Sequence, residues 1–190
     1  VKDMLTAADA IARIVRDVPA GVLDAPTPAA EWDVRATLNH VVFWTARGES
    51  AARKEQPPAE PGEDHDFTAD PGYAAAFAEQ AHRTAAAWQE PAAREGSTSL
   101  TGSAPGLPAT VIGGMILGEW VLHGWDLAVA AGLPHGLDDA VVRAAYDSTA
   151  AIADMGRQYG AFGPEVAVPA DAPPLDRLLG LSGRDPRWTP

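Results

Sequence analysis

Residues 118–128 read GEWVLHGWDLA, and they sit inside a longer run, Val111 to Ala131, in which nearly every residue is apolar or glycine. The ionisable exceptions are Glu119, His123 and Asp126. At about 100° per residue these three fall within an arc of roughly 60° on a helix, so they share one face. Leu117, Trp120, Val121 and Trp125 occupy the other faces. A helix that is apolar all round is buried. The run is long enough to raise the question of a membrane span, but three ionisable groups near its middle would be costly in lipid. The segment therefore reads as the buried helix of a helical bundle, with a polar patch pointing inward.

A buried carboxylate costs several kcal/mol unless it is paired. One reading is a hydrogen-bond network with His123 bridging the two carboxylates. The other is a metal site, because a Glu and a His at i and i+4 reach one ion from a single helix. Such a site needs a third ligand from another helix. The remaining histidines are His40, His65, His82 and His135. His65 falls in an acidic loop and His135 in a short turn, both solvated, and His82 lies on an alanine-rich helix, where an exposed or packing role is expected rather than ligation. His40 lies mid-helix beside an apolar stripe and is the best-placed third ligand.

Outward from this segment the pattern stays helical. A first helix is expected from about Met4 to Val18, with Leu5, Ala8, Ile11, Ala12 and Val15 on its apolar face. A second runs from an Asp33 cap to about Lys54, with Val34, Leu38, Val41 and Val42 as its stripe. EQPPAEPGEDHDFTAD is a proline- and acid-rich loop. A third helix is expected to open at Asp70-Pro71 and run to about Gln89. Pro91 to Pro108 is irregular, with STSLTG as a short extended piece. The fourth helix covers about Ala109 to Ala131, with Gly132 after it. Asp138 caps a fifth that ends near Gly156. The tail holds turns, a short strand at Val166 to Val168, and a turn or two of helix at Leu175 to Leu181. The expected fold is all-α, four long helices with a short fifth and sixth, in one domain. Its core is residues 1–158 and its irregular C-terminal extension residues 159–190.

Composition narrows the function. The formal charge is −12 and no Lys/Arg cluster tracks a phosphate backbone, which argues against nucleic acid. There is no cysteine, hence no disulfide, no thiolate metal site and no protein thiol nucleophile. Charges at Lys2, Asp3, Asp9, Arg13, Arg16 and Asp17 interrupt any secretory apolar core at the N-terminus. A cytoplasmic protein with no membrane association is expected. A homodimer is among the open assemblies.

PTPAAEWDVRATLNHVV at residues 26–42, followed by GEWVLHGWDLA, resembles the DinB-like superfamily. The nearer match is the metal-binding domain of mycothiol-dependent maleylpyruvate isomerase and its short stand-alone relatives. FGPEVAVPADAPPLDRLLGLSGRDP at residues 162–186 looks like the tail of such a relative. The resemblance implies a four-helix bundle holding a divalent metal, usually zinc, through His40, Glu119 and His123. Many DinB-like proteins use three histidines, and Glu119 in place of one favours the isomerase-like branch. The full isomerase carries a further C-terminal domain that contributes to its active site. Only a small tail follows the bundle here, so a different reaction from maleylpyruvate isomerisation is expected.

Three protein ligands leave zinc an open position for a thiol or a water. A bound thiol becomes a nucleophile near neutral pH, and in the resembling family that thiol is mycothiol. A bound water gives hydrolysis instead. Histidine and carboxylate ligands also suit nickel, iron or manganese. Asp126 either fixes a ligand imidazole, completes the metal shell, or is a helix-face carboxylate satisfied by Arg35 or Arg47. Asn39 reads as an inter-helix hydrogen bonder. Trp44, Trp120 and Trp125 either wall a ligand cleft or fill the core. Arg35, Arg47 and Arg157 either bind an anionic cofactor or are solvated. No P-loop, G-x-G-x-x-G or Ser-His-Asp motif is present. The expected function is a mycothiol-dependent transferase or isomerase acting on a small electrophile. The alternatives are a non-catalytic metal- or ligand-binding bundle and a metal-dependent hydrolase.

Overall fold

The structure, a computed structural model, describes residues 2–29 and 31–190. It is all-α. The helices are α1 (Lys2–Asp17), α2 (Val34–Arg53), α3 (Tyr73–Gln89), α4 (Ala109–Ala130), α5 (Asp139–Gln158) and α6 (Pro174–Leu181). A two-residue antiparallel ribbon, β1 (Ser97–Thr98) with β2 (Leu107–Pro108), pins the connection before α4.

Helices α1 to α4 form the bundle. α1 packs on α3 and α4, and α2 packs on the same two helices. α5 covers α4 from outside the bundle and α6 folds back on α5. The fifth helix, expected from the Asp138 cap to near Gly156, runs to Gln158, and at 20 residues it is as long as α2 rather than short. It carries a full apolar stripe, with Val141, Val142, Ala145, Thr149 and Ala153 buried, and this stripe supports the length. Its start is as expected, with the Asp138 carboxylate accepting from the Ala140 N–H at 2.7 Å.

The ends of α2 obey the same chemistry. Asp33 accepts the Ala36 N–H at 2.7 Å, and Lys54 closes the helix in the left-handed region at φ 58°. α3 does not start where Asp70-Pro71 predicts. Asp66 accepts from Thr68 N and draws residues Phe67–Ala69 into a 3-10 turn. Asp70 ends that turn, and its carboxylate is taken by His65 at 2.8 Å. Gly72, at φ 74°, then breaks the chain before the helix begins at Tyr73, a conformation that costs glycine little. The predicted strand at Val166 to Val168 is absent, and a single bond from Val166 N to Gly180 O at 2.9 Å holds that stretch. Leu5, expected on the apolar face of α1, is 39% exposed, while Met4 and Ala7 take the inner positions.

α4 is the axis of the core, and Leu117, Trp120, Val121, Trp125 and Leu127 are all buried. Burying each such side chain stabilises the fold by about 1.5–3 kcal/mol. The Trp120 indole N–H, which would be costly to bury unpaired, donates to Thr45 Oγ1 on α2 at 2.8 Å. One turn from Thr45, Gly48 lets α2 close on α4. A Cβ at that position would stand 2.8 Å from Ile116 Cδ1. This close approach brings His40 within reach of α4. Among the described residues no helix is long and apolar enough to cross a membrane.

Candidate metal centre

His40 projects from the middle of α2, and Glu119 and His123 from successive turns of α4. Residues 79 apart in sequence thus meet: His40 Nε2 lies 2.9 Å from Glu119 Oε2. His123 Nε2 lies 3.3 Å from the same oxygen. One ligand atom from each of the three falls within 4.8 Å of the others. A tetrahedral ion with bonds of about 2.0–2.1 Å separates its ligands by roughly 3.3 Å, so the spacing fits a first-row divalent cation.

The second nitrogen of His123 is committed elsewhere. Nδ1 lies 2.9 Å from Asp126 Oδ2, and Asp126 is wholly buried. Asp126 is held in turn by Arg184, neither Arg35 nor Arg47 being its partner. Arg184 Nε donates to Oδ1 at 2.9 Å and Nη2 donates to Oδ2 at 2.8 Å. The guanidinium is itself placed by Ser182, whose Oγ accepts from Nη1 at 3.2 Å. A carboxylate accepting from Nδ1–H fixes the imidazole tautomer and directs the Nε2 lone pair at the site. In that tautomer a neutral His123 presents a lone pair to the Glu119 carboxylate, two acceptors face to face. Only a cation between them, a proton or a metal, satisfies both. The donor set therefore fits a metal on chemistry as well as on spacing.

The charges agree. Burial pushes the Glu119 carboxyl up, but His123 and His40 outweigh it and hold the group far below the ordinary carboxylate range. Burial also opposes protonation of His123, but Asp126 and Glu119, one on each nitrogen, lift the imidazole to about 9. Asp126 is pushed up by burial and held below its ordinary value by Arg184 and His123. Burial works against the Arg184 cation, and Asp126 more than compensates.

Trp32 forms one wall. Its ring stacks on His123 with centroids 5.4 Å apart and 21° between planes, and lies 4.5 Å from the His40 ring. The loop that presents it is closed by an isolated bridge between Pro26 and Asp33 and by Thr27, whose N–H and hydroxyl both donate to Trp32 O. Glu31, just before it, takes φ 76°, a conformation costly for a residue with a Cβ.

The remaining candidates lie elsewhere. Trp120 and Trp125 are core residues, and the Trp44 ring is 6.1 Å from His40. Arg35 pairs with Asp24 and Asp66, and Arg47 covers the Phe43 ring and donates to Pro58 O. Arg157 pairs with Asp154 and donates to Leu181 O. Asn39 donates to Asp66, as an inter-element hydrogen bonder. His65 and His82 pair with Asp70 and Asp9. Sequence reasoning missed Arg184 and Trp32. The buried Asp126 called for a cation, and the apolar Leu178-Leu179 pair that seats the tail was the signal for where to look. For Trp32 the signal was a large apolar residue just before a helix cap.

Two cavities open from the centre, of about 440 Å³ and 510 Å³, and both are bordered by Glu119, His123 and Arg184. His40 and Trp32 border the larger.

The model of the family described as mycothiol maleylpyruvate isomerase N-terminal domain matches residues 4–128. The matched stretch contains His40, Glu119, His123 and Asp126, and it excludes α5, α6 and Arg184. The chain is also similar to uncharacterized protein Rv0738 of Mycobacterium tuberculosis (strain ATCC 25618 / H37Rv), 35% identical over 191 residues and covering 95% of each chain. The same figures hold for uncharacterized protein MT0763 of Mycobacterium tuberculosis (strain CDC 1551 / Oshkosh). No solved structure matches. With two thirds of its length matched, including every residue of the candidate centre contributed by the bundle, the chain belongs to the mycothiol maleylpyruvate isomerase N-terminal domain family.

Proposed function

We propose that the protein binds a divalent metal, zinc first among the fitting ions, through His40, Glu119 and His123. On this reading it transfers a low-molecular-weight thiol to, or isomerises with it, a small electrophile in the cytoplasm, and mycothiol is the thiol the family points to. The observation that carries the reading is the meeting of His40 with Glu119 and His123, with His123 Nδ1 already engaged by Asp126.

When bound, the ion would lower the pKa of a coordinated thiol so that it is a thiolate near neutral pH. The chain's own residues do the rest. With His123 in its neutral, ligating form, Glu119 and Asp126 are anionic and Arg184 is cationic, so the set of side chains carries one net negative charge. A divalent ion turns that into one positive charge, which a single thiolate neutralises. Arg184 and Asp126 hold the His123 ring, and Trp32 covers the two imidazoles on one side. With no cysteine in the chain, the thiol must come from outside.

The test has two stages. Elemental analysis should find about one metal ion per chain in the unaltered protein and far less in His40→Ala and His123→Ala. Equal metal in all three removes the centre. The loaded protein should then conjugate mycothiol to a generic electrophile. Cleavage that needs no thiol points to a hydrolase, and tight binding of a small molecule without turnover points to a sensor.

A further inference from the structure

The two cavities that meet at Glu119 and His123 differ in chemistry. The larger is bordered by polar and turn residues, among them Glu31, Ser182 and Gly183. The smaller runs between α4 and α5 and is walled by Leu107, Met115, Leu122, Ile152, Met155 and Phe162. Tyr159 and Phe162, in the turn after α5, border both.

Two observations bear on what the apolar cavity takes. Among the described residues around both cavities, Arg184 is the one lysine or arginine. Both carboxylate oxygens of Asp126 already occupy its guanidinium. Away from the Glu119–His123 edge, a carboxylate brought into the apolar cavity would lose its water and meet no free lysine or arginine. The second observation is Gly118. It sits in the middle of α4 and borders the cavity, where glycine costs a helix about 1 kcal/mol relative to alanine. Packing does not demand it, because a Cβ there would meet only Thr149 Oγ1, at an ordinary 3.5 Å. Its missing side chain leaves the cavity open right beside Glu119.

We propose that this cavity receives the hydrocarbon part of an uncharged, apolar electrophile, with its reactive carbon at the Glu119–His123 edge and the thiol arriving from the polar cavity. The assignment rests on the thiol-using reading above. For an activated alkene the step balances without another reactant. The S–H bond and the alkene π bond break, a C–S bond forms at one carbon, and the proton ends on the other.

The experiment titrates metal-free protein with N-methyl-, N-butyl- and N-hexylsuccinimide, unreactive analogues of the N-alkylmaleimides, by calorimetry. Affinity should rise on the order of fourfold per added methylene, and dianionic fumarate should give no binding. Ile152→Trp should flatten the chain-length dependence without changing zinc content, and Gly118→Val serves if that variant fails to fold. With zinc and mycothiol present, kcat/KM for the matching maleimides should rise along the same series; the cysteine-free chain offers them no thiol of its own. Affinity independent of chain length in the unaltered protein, or fumarate bound as tightly as the hexyl compound, overturns the assignment. Loss of zinc binding overturns the metal reading alone, because the succinimide titrations contain no metal.

Discussion

Arg184 grips Asp126 across 58 residues of sequence with a two-pronged contact, Nε to Oδ1 at 2.9 Å and Nη2 to Oδ2 at 2.8 Å. Asp126 is completely buried and Arg184 nearly so. The pair sets the orientation of His123 through Asp126 Oδ2. A tail segment outside the matched family region therefore positions a group at the centre of the family motif.

Arg184→Met should strand a buried carboxylate. Breaking a buried ion pair from one side costs about 3–5 kcal/mol, readable as a lower midpoint in urea unfolding of the metal-free protein. The double variant with Asp126→Asn should lose distinctly less than Arg184→Met alone. If the two lose the same amount, the pair is not what Arg184 is there for.

Asp126→Asn should weaken zinc binding by about 10–100-fold while leaving the three ligands in place. Competition with a chelating dye would measure this. An unchanged affinity would mean that His123 is oriented by something other than Asp126.

The pH dependence has a definite sign. His123 is raised from an ordinary 6.5 to about 9, so its contribution to metal-free stability is full below 6.5 and fades as pH rises through about 9. Glu119 and Asp126 are held below their ordinary values of 4.5 and 3.8. Their contribution is present above those values and fades as pH falls through the lower folded ones. A bound metal displaces the His123 proton, so apparent zinc affinity should rise about tenfold per pH unit between 7 and 8. Calorimetry in buffers of different ionisation heat should show His123 releasing about one proton. A flat affinity over that range would contradict the assignment.

Trp32 should report on the site. Its ring stacks on His123 and leans on His40, so zinc binding should change the tryptophan emission. Trp32→Phe should abolish most of that change although five other tryptophans remain of the six. A response that survives the substitution would place the metal elsewhere.

Asp33→Ala should cost about 1 kcal/mol of stability by removing the Ala36 cap bond, with metal stoichiometry retained. Thermal unfolding of the metal-loaded and metal-free forms would show it.

Much of this organisation is legible in the chain before any coordinates. His40, Glu119 and His123 were readable because helical spacing and the two motif segments converge on them. The Asp33 and Asp138 caps were readable because capping is local. Asp70 misled for the same reason. Its local signal competes with the Asp66–Thr68 turn two residues earlier, and that turn captured the chain. Arg184 was hidden because a tail of prolines and glycines has no period to place its residues on a face. Only the tertiary seating of Leu178 and Leu179 brings it inward. The span of α5 was readable to within about two residues at its end, from the Asp138 cap and the apolar stripe that begins at Val141 and Val142.

The distance along the chain between Asp126 and Arg184 also bears on the nascent chain at the ribosome, where the aspartate is made first. When α4 first emerges, its aspartate has no guanidinium to neutralise it, so final burial of the helix carries an extra electrostatic cost. The orientation of His123 by a neutralised Asp126 is complete only once the tail is made.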